Sequence, residues 1–253
     1  MSRFTPILLV VLLPLIARAA EPAAPPVRPL RVAIYTDVGG ATAAPNVEKC
    51  LVPAEAYAAK RVTAAQIRAG ALKDFDVIVQ PGGSGSKQAE TLGEEGREQI
   101  RKFVDGGGGY VGICAGAYLA SSDYKWSLNI LNAKVIDKEH WARGTGPVQL
   151  GLSAEGRKVL SLDKEQVTCE YRQGPLLAPG DHPTLPAYAP LATYLTEVAK
   201  KGAPAGVMKD TTAIAAAPFG KGKVIAISPH PEKTPGLEDV IRKALAHVAP
   251  APG

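Results

Sequence analysis

The chain has 253 residues, of which 46% are hydrophobic, 21% charged and 6% aromatic. This length allows one larger α/β domain or two small ones, and the composition excludes a disordered or fibrous chain, a coiled coil and a membrane bundle. The formal net charge is only +5, and the 29 Lys and Arg residues are spread along the whole sequence. Because nucleic-acid binders concentrate their basic residues in a patch, we expect no nucleic-acid partner.

The first 19 residues have the pattern of a secretory signal peptide. Arg3 supplies a positive start, residues 7–16 form an apolar run, and the Ala-Arg-Ala triplet at residues 17–19 is typical of a cleavage site. The apolar run is interrupted by Pro14 and is too short to span a hydrocarbon core of roughly 30 Å. The sequence therefore predicts cleavage near Ala19, a secreted or periplasmic protein and no stable membrane insertion. An uncleaved N-terminal anchor is the alternative.

Beyond the cleavage site the sequence predicts a tether and then one domain. Residues 20–29 are rich in Pro and Ala and are predicted not to pack. From residue 30 to residue 249, apolar strands alternate with amphipathic helices, which predicts an α/β fold with a doubly wound, mostly parallel sheet and helices on both faces. The predicted strands are 30–36, 76–80, 110–113, 133–136, 147–152, 166–171, 191–196, 213–217 and 223–227, and the predicted helices are 94–105, 236–248 and a segment after Pro45 capped by Asn46.

The chain contains three cysteines, Cys50, Cys114 and Cys169. In an oxidising compartment an odd number leaves at least one thiol unpaired. Cys50 and Cys169 either form a disulfide or are buried small hydrophobic residues that never meet. We favour the second interpretation, because the sequence gives no distance between them.

The strongest chemical motif is Gly112-x-Cys114-x-Gly116, between a predicted strand and a run of small residues. This pattern is typical of a nucleophile elbow, in which glycines allow a sharp strand-to-helix turn. The turn would place the thiol at a helix N-terminus, which favours a thiolate, and would direct the Ala115 N–H toward an oxyanion. A structural cysteine in a tight turn is the alternative.

A thiol nucleophile needs a base and a group that orients the base. His230 follows the predicted strand 223–227, and Glu232 lies two residues beyond it. The C-terminal ends of strands are where open α/β sheets bind their ligands. We therefore expect His230 to serve as the base and Glu232 to hold its imidazole, although isolated histidines after strands are more often surface residues.

The third motif, Gln80-Pro-Gly-Gly83, also ends a predicted strand. The glycines let the backbone approach a substrate, so Gly82 is a candidate binding residue and the Gly83 N–H a candidate second oxyanion donor. An ordinary strand-terminating turn is the alternative.

Together these motifs resemble the class I glutamine amidotransferase superfamily, and more specifically the family of the biotin-protein ligase N-terminal domain. The resemblance implies a flavodoxin-like fold and a Cys-His-Glu triad, with Cys114 as nucleophile, His230 as base and Glu232 as the orienting carboxylate. It also implies that Gly83 and Ala115 donate to the oxyanion. The segments that carry it are PGGSGS (81–86), GGGYVGICAGAYLAS (107–121), HWARGTG (140–146), Tyr171 with Gly174-Pro175, and SPHPEKTPG (228–236).

Several further residues are candidates for the pocket wall. His140, Trp141 and Arg143 cluster in one polar loop, and Arg143 could bind a substrate carboxylate. Packing of an exposed loop is the alternative. Tyr171 is predicted to face the site in the same way. No group of His, Cys and Asp has metal-ligand spacing, so we expect neither a metal nor a cofactor.

The sequence as a whole predicts an exported, amidotransferase-like thiol hydrolase. Its partner would be a small-molecule or peptide-like amide, cleaved through Cys114, His230 and Glu232. The alternative is a non-catalytic protein that retains the pocket for small-molecule binding or redox sensing.

Overall fold

A computed structural model describes residue 1 and residues 28–251. The predicted signal peptide beyond Met1 and most of the predicted tether lie outside these residues. Among the residues described, none of the helices combines the length and apolar character that a membrane span requires.

The described chain alternates strands and helices up to residue 120, as the sequence predicts, whereas five strands follow one another without a helix between residues 166 and 227. Short 3₁₀ turns lie at Ala54–Ala56, Ala71–Asp74 and Pro231–Lys233. The strands are β1 (Leu30–Tyr35), β2 (Tyr57–Val62), β3 (Val77–Gln80), β4 (Gly109–Ile113), β5 (Ala133–Ile136), β6 (Thr145–Leu152), β7 (Gln166–Arg172), β8 (Leu176–Pro179), β9 (Ala189–Tyr194), β10 (Thr212–Phe219) and β11 (Gly222–Ile227). The helices are α1 (Ala44–Lys49), α2 (Ala64–Arg68), α3 (Gly85–Asp105), α4 (Ala115–Ala120), α5 (Ala154–Leu160) and α6 (Asp239–Val248).

All the strands belong to one sheet with a parallel half and an antiparallel half. The main order is β2-β1-β3-β4-β11-β10-β9-β6-β7, and β8 joins β5 to β10 off this path. Every pairing from β2 to β11 is parallel, whereas the pairings beyond β11 are antiparallel. The α/β fold class is confirmed, and its doubly wound part is the parallel half.

Helices cover the sheet on both faces because its central strands are apolar on both. In β1, Val32 and Ile34 belong to one hydrophobic cluster with α1, α5 and α6, whereas Ala33 and Tyr35 belong to a second cluster with α2, α3 and α4. Successive side chains of a strand point to opposite faces, so a buried parallel strand must be apolar throughout. The carboxyl ends of β3, β4 and β11 therefore meet at one edge between the two helical layers.

The strands that the sequence analysis missed lack a long apolar pattern. In β2 four consecutive residues are exposed, because this strand lies at the edge of the sheet. The four-residue β8 ends in Pro179. The prediction that Asn46 caps a helix is wrong, because α1 begins at Ala44 and Asn46 lies inside it.

The structure differs from the sequence prediction at the start of one helix and at the end of the tether. The helix predicted to begin at residue 94 is the second part of α3, which is broken at Gly93 (φ 64°, ψ 179°). Arg28, at the end of the predicted tether, does pack: its guanidinium lies 2.6 Å from the Asp76 carboxylate.

Candidate active site

Cys114 occupies a strained turn between β4 and α4. Its backbone has φ 50° and ψ −97°, a conformation that costs free energy for a residue with a Cβ. A methyl group on Gly112 would lie 2.4 Å from the Gly116 carbonyl oxygen, and one on Gly116 would lie 2.1 Å from the Gln80 carbonyl oxygen. Both glycines are therefore required by close backbone packing, as the elbow motif predicts.

Two backbone N–H groups are available beside Cys114. Among the described residues, neither the Ala115 N–H nor the Gly83 N–H has a hydrogen-bond acceptor. Ala115 begins α4, where the N–H groups have no partners within the helix. Gly83 has φ +138°, and a methyl group there would lie only 1.8 Å from the Gly39 carbonyl oxygen.

His230 and Glu232 form a buried pair on the turn that follows β11. His230 Nδ1 lies 2.7 Å from Glu232 Oε1, and the two side chains are only 4% and 1% exposed. The His230 main-chain N–H donates to the Glu170 carbonyl (2.8 Å), and its carbonyl accepts from the Thr234 hydroxyl (2.8 Å). In the described part of the chain His230 Nε2 is buried and has no hydrogen-bond partner.

The pKa of His230 is raised to about 9. Burial lowers this pKa, but the adjacent Cys114 sulfur and the Glu232 carboxylate outweigh burial by stabilising the imidazolium. At neutral pH the ring therefore carries a proton.

Gly82 lies against both Cys114 and His230. A methyl group on Gly82 would lie 2.9 Å from His230 Cε1 and 3.8 Å from Cys114 Cβ. Both side chains therefore lie next to the Gly82 backbone, two residues beyond the end of β3. The Cys114 Sγ also lies 3.5 Å from the carbonyl oxygen of Arg172, the last residue of β7.

A cavity of about 350 Å³ opens at Cys114. This volume lies within the range of small-molecule sites. Its wall consists of the segment 83–86 after β3, Cys114, four aromatic residues (Tyr118, Tyr124, Trp126 and Trp141), Lys138, Arg172 and Gln173.

Three predicted pocket residues do not reach this wall. Arg143 is 1% exposed and pairs with the Asp137 carboxylate at 2.5 Å, and His140 Nδ1 lies 2.6 Å from the same carboxylate. Tyr171 is fully buried and donates its hydroxyl hydrogen to the Gly174 carbonyl (2.9 Å). These residues support the loops behind the cavity, and from the HWAR segment only Trp141 lines it.

Sequence reasoning missed a residue that positions the Gly82-Gly83 turn. Gln88 is fully buried, and its Nε2 donates to the Gly39 carbonyl (3.0 Å) and the Pro81 carbonyl (2.8 Å). One glutamine in an amphipathic helix gives no sequence pattern for this role. Tyr118 could have been found, because it lies one helical turn beyond Cys114.

The other two cysteines are buried free thiols. Burial is the main cause that raises the pKa of Cys50 to about 11 and that of Cys169 to about 12. Cys50 lies 3.3 Å from the Asn46 carbonyl, and Cys169 lies 3.5 Å from the Thr234 hydroxyl. Both thiols therefore stay protonated at neutral pH. Across residues 28–251, no cluster of three or more His, Cys, Asp or Glu residues could hold a metal ion.

The fold and the strand-to-helix turn at Cys114 define a protein of the class I glutamine amidotransferase-like type. The family model "Biotin-protein ligase, N terminal" matches residues 30–249, so the chain belongs to that family. A search of curated protein sequences gives no significant match.

Solved structures share the fold at low sequence identity. PurLQS from Thermotoga maritima has a TM-score of 0.64 at 15% identity, with 87% of this chain and 98% of that chain covered. A ThuA-like protein from Bacteroides uniformis has a TM-score of 0.57 at 15% identity, with 89% and 94% covered. A β-galactosidase from Bacillus circulans has a TM-score of 0.54 at 12% identity, with 87% of this chain and 32% of that chain covered. At such low sequence identity these matches show the fold alone and do not assign a reaction.

Proposed function

We propose that this amidotransferase-like protein hydrolyses a carboxamide or a peptide-like amide through Cys114, His230 and Glu232. The observation that carries the proposal is the buried His230–Glu232 pair, whose imidazole lies, together with Cys114, against the Gly82 backbone. A positioned nucleophile, base and orienting carboxylate are what acyl transfer requires.

The first half-reaction forms a thioester. The Cys114 thiolate attacks the amide carbonyl carbon, and the carbonyl π electrons move onto the oxygen. The N–H groups of Gly83 and Ala115 donate to this oxyanion. As the tetrahedral intermediate collapses, the C–N bond breaks and the His230 imidazolium gives its proton to the departing nitrogen.

The second half-reaction hydrolyses the thioester and regenerates the free enzyme. Neutral His230 takes a proton from water while the water oxygen attacks the thioester carbonyl. The C–S bond then breaks, releasing a carboxylic acid and the Cys114 thiolate beside the imidazolium. Glu232 keeps the imidazole oriented throughout by accepting the Nδ1 hydrogen.

The alkylation rate of Cys114 as a function of pH tests the first requirement. Because a histidine beside a thiol activates it as a nucleophile, we expect rapid reaction of Cys114 with iodoacetamide at neutral pH. His230→Ala should slow the reaction at neutral pH by roughly tenfold or more, and Glu232→Gln should have an intermediate effect. Cys50 and Cys169 are 1% exposed, and peptide mapping by mass spectrometry distinguishes them from Cys114.

The chemical step is tested separately with amide substrates. Release of ammonia or amine by the wild type, its loss in Cys114→Ser, and a mass increase of one acyl group on Cys114 would support the mechanism. A Cys114 that does not react, or that reacts equally fast without His230, would contradict it and favour a binding protein that retains the pocket.

We also propose that the protein is exported and loses its first 19 residues. The support is the pattern of the N-terminal sequence, a positive start, an apolar run and an Ala-Arg-Ala triplet. N-terminal sequencing of the protein recovered from the cell exterior or periplasm should begin at residue 20. Recovery of the uncut chain in the cytoplasm or the membrane would contradict the proposal.

A further inference from the structure

The cavity at Cys114 has an unusually aromatic wall for this chain. Only 6% of the residues are aromatic, and the sequence contains two tryptophans. Both of them, Trp126 and Trp141, line this one cavity together with Tyr118 and Tyr124. Trp141 is 55% exposed although it is a large hydrophobic residue. Exposed aromatic side chains that converge on a pocket are typical of ligand recognition.

The aromatic rings offer flat surfaces to a ligand. Tyr124 and Trp126 are stacked, with ring centroids 4.5 Å apart and planes inclined by 16°. Tyr118 is tilted against Tyr124 at a centroid distance of 6.2 Å. A planar ring can lie flat against such a surface, which a bulky saturated group cannot do.

The charges in the wall disfavour a cationic ligand. Aromatic walls can bind ammonium groups, but here the Lys138 ammonium already lies 4.9 Å from the centre of the Tyr124 ring. Lys138 and Arg172 are the charged residues of the wall, whereas the carboxylates they pair with, Asp123 and Glu170, do not line the cavity. A ligand therefore meets the positive member of each pair.

The start of α3 adds to the positive potential. Gly85 and Ser86 belong to its first turn and line the cavity, where the helix dipole places partial positive charge. Together with Lys138 and Arg172, this end of the helix favours an anionic ligand.

We propose that the substrate of Cys114 carries a planar ring with an anionic substituent, and that this aromatic cavity binds it. This substrate class applies to the hydrolysis proposed above and rests on that proposed function. The cavity volume of about 350 Å³ accommodates a single substituted ring with its amide. The amide carbonyl would lie at Cys114 and the ring against the stacked pair.

Binding is tested in Cys114→Ala, where no hydrolysis can occur. The probe is 4-carboxybenzamide, and its matched controls are 4-(aminomethyl)benzamide, which reverses the charge, and 4-carboxycyclohexanecarboxamide, which removes planarity. The intrinsic tryptophan fluorescence reports on this cavity alone, because both tryptophans line it. We expect saturable quenching by the anionic planar amide and affinities lower by roughly tenfold or more for both controls.

Matched lysine variants test the role of charge. Lys138→Gln should weaken binding of 4-carboxybenzamide several-fold. Lys102 is the matched control. It is exposed and paired with Glu98, as Lys138 is paired with Asp123, but it does not line the cavity. Lys102→Gln should therefore leave binding unchanged. Trp141→Ala should weaken binding of all three compounds, and circular dichroism checks that these variants remain folded.

The outcomes separate this inference from the proposed hydrolysis. Absence of saturable quenching, or tightest binding of the cationic compound, would overturn the substrate class even if Cys114 reacts rapidly with iodoacetamide. Conversely, selective binding of 4-carboxybenzamide by a protein whose Cys114 is unreactive would support the cavity assignment and contradict hydrolysis.

Discussion

The proton affinity of His230 depends on three competing influences within a few ångströms. Burial disfavours the imidazolium, whereas the Cys114 sulfur and the Glu232 carboxylate favour it, and the pKa of about 9 reflects their balance. A group whose pKa is higher in the folded protein binds its proton more tightly there. Its contribution to stability is complete below the unfolded pKa near 6.5 and is lost as the pH rises through about 9.

The first prediction concerns this pH dependence. The free energy of unfolding of the wild type, relative to His230→Gln, should decrease between about pH 6.5 and pH 9, by on the order of 2 kcal/mol. Urea unfolding followed across this pH range measures the difference. In parallel, NMR titration of the His230 ring should show that Glu232→Gln lowers its pKa. A stability difference that grows with pH would contradict the assignment.

The second prediction concerns Gly82, where a methyl group would press on the His230 ring at 2.9 Å. The ring is also held at Nδ1 by Glu232, so the methyl group would displace it from its position beside Cys114. Gly82→Ala should therefore reduce the His230-dependent alkylation of Cys114 by roughly tenfold while changing stability by only about 1–2 kcal/mol. Unfolding curves serve as the control, and a fully reactive Cys114 in a folded Gly82→Ala protein would show that the contact is unimportant.

At the scale of elements, the site depends on how closely α4 packs on the end of β3. Gly116 brings the first turn of α4 onto the Gln80 carbonyl, and the Tyr110 hydroxyl donates to the Gly116 carbonyl at 2.8 Å. These contacts hold the turn in which Cys114 keeps its positive φ. Strain at one residue persists only when the surrounding elements determine its conformation.

The third prediction tests this packing. In Gly116→Ala the new methyl group would overlap a backbone oxygen that cannot move without displacing β3, so we expect a loss of about 3 kcal/mol or more in the free energy of unfolding. Gly96→Ala in α3 is the matched control, because the nearest atoms to its methyl group are side-chain atoms at 3.2 Å or more and alanine favours a helix by about 1 kcal/mol over glycine. Equal stabilities of the two variants in thermal or urea unfolding would refute the argument.

On the scale of the whole molecule, an ion-pair network joins the beginning of the domain to its central strands. Asp76, which precedes β3 and is 4% exposed, accepts hydrogen bonds from the Arg28 and Arg31 guanidinium groups and from the Arg31 N–H. Burial raises the pKa of Asp76, but the two arginines outweigh burial and lower it well below its usual range. Arg28 and Arg31 thereby attach the beginning of the domain to the sheet.

The fourth prediction follows from this lowered pKa. The Asp76 carboxylate stabilises the fold above its unfolded pKa of about 4, and this contribution is lost as the pH falls through the lower folded value. Asp76→Asn should therefore lower the midpoint of urea unfolding at pH 7, and the difference from the wild type should shrink on acidification. Glu90→Gln, which removes one exposed ion pair with Lys87, should have little effect. A constant difference at all pH values would contradict the linkage.

The sequence by itself determined the class of fold and the positions of the cysteine and histidine motifs. Apolar strands such as β3, β4 and β11 are buried on both faces, so their composition alone distinguishes them from their surroundings. The motifs at Cys114 and at His230 could be recognised because each consists of residues that lie close together in the sequence. Strand β2 was missed because its composition is not apolar. It is held in the sheet by its pairing with β1.

Only the tertiary structure decided which side chains share the cavity. Arg143 and Tyr171 were expected in its wall, but Arg143 is bound to Asp137 and Tyr171 is fully buried, with its hydroxyl donating to the Gly174 carbonyl. The aromatic wall instead combines residues of α4, of the loop that follows it and of the loop after β5. Such convergence depends on how loops from different strands fold back on one another, and no periodicity within a single segment records it.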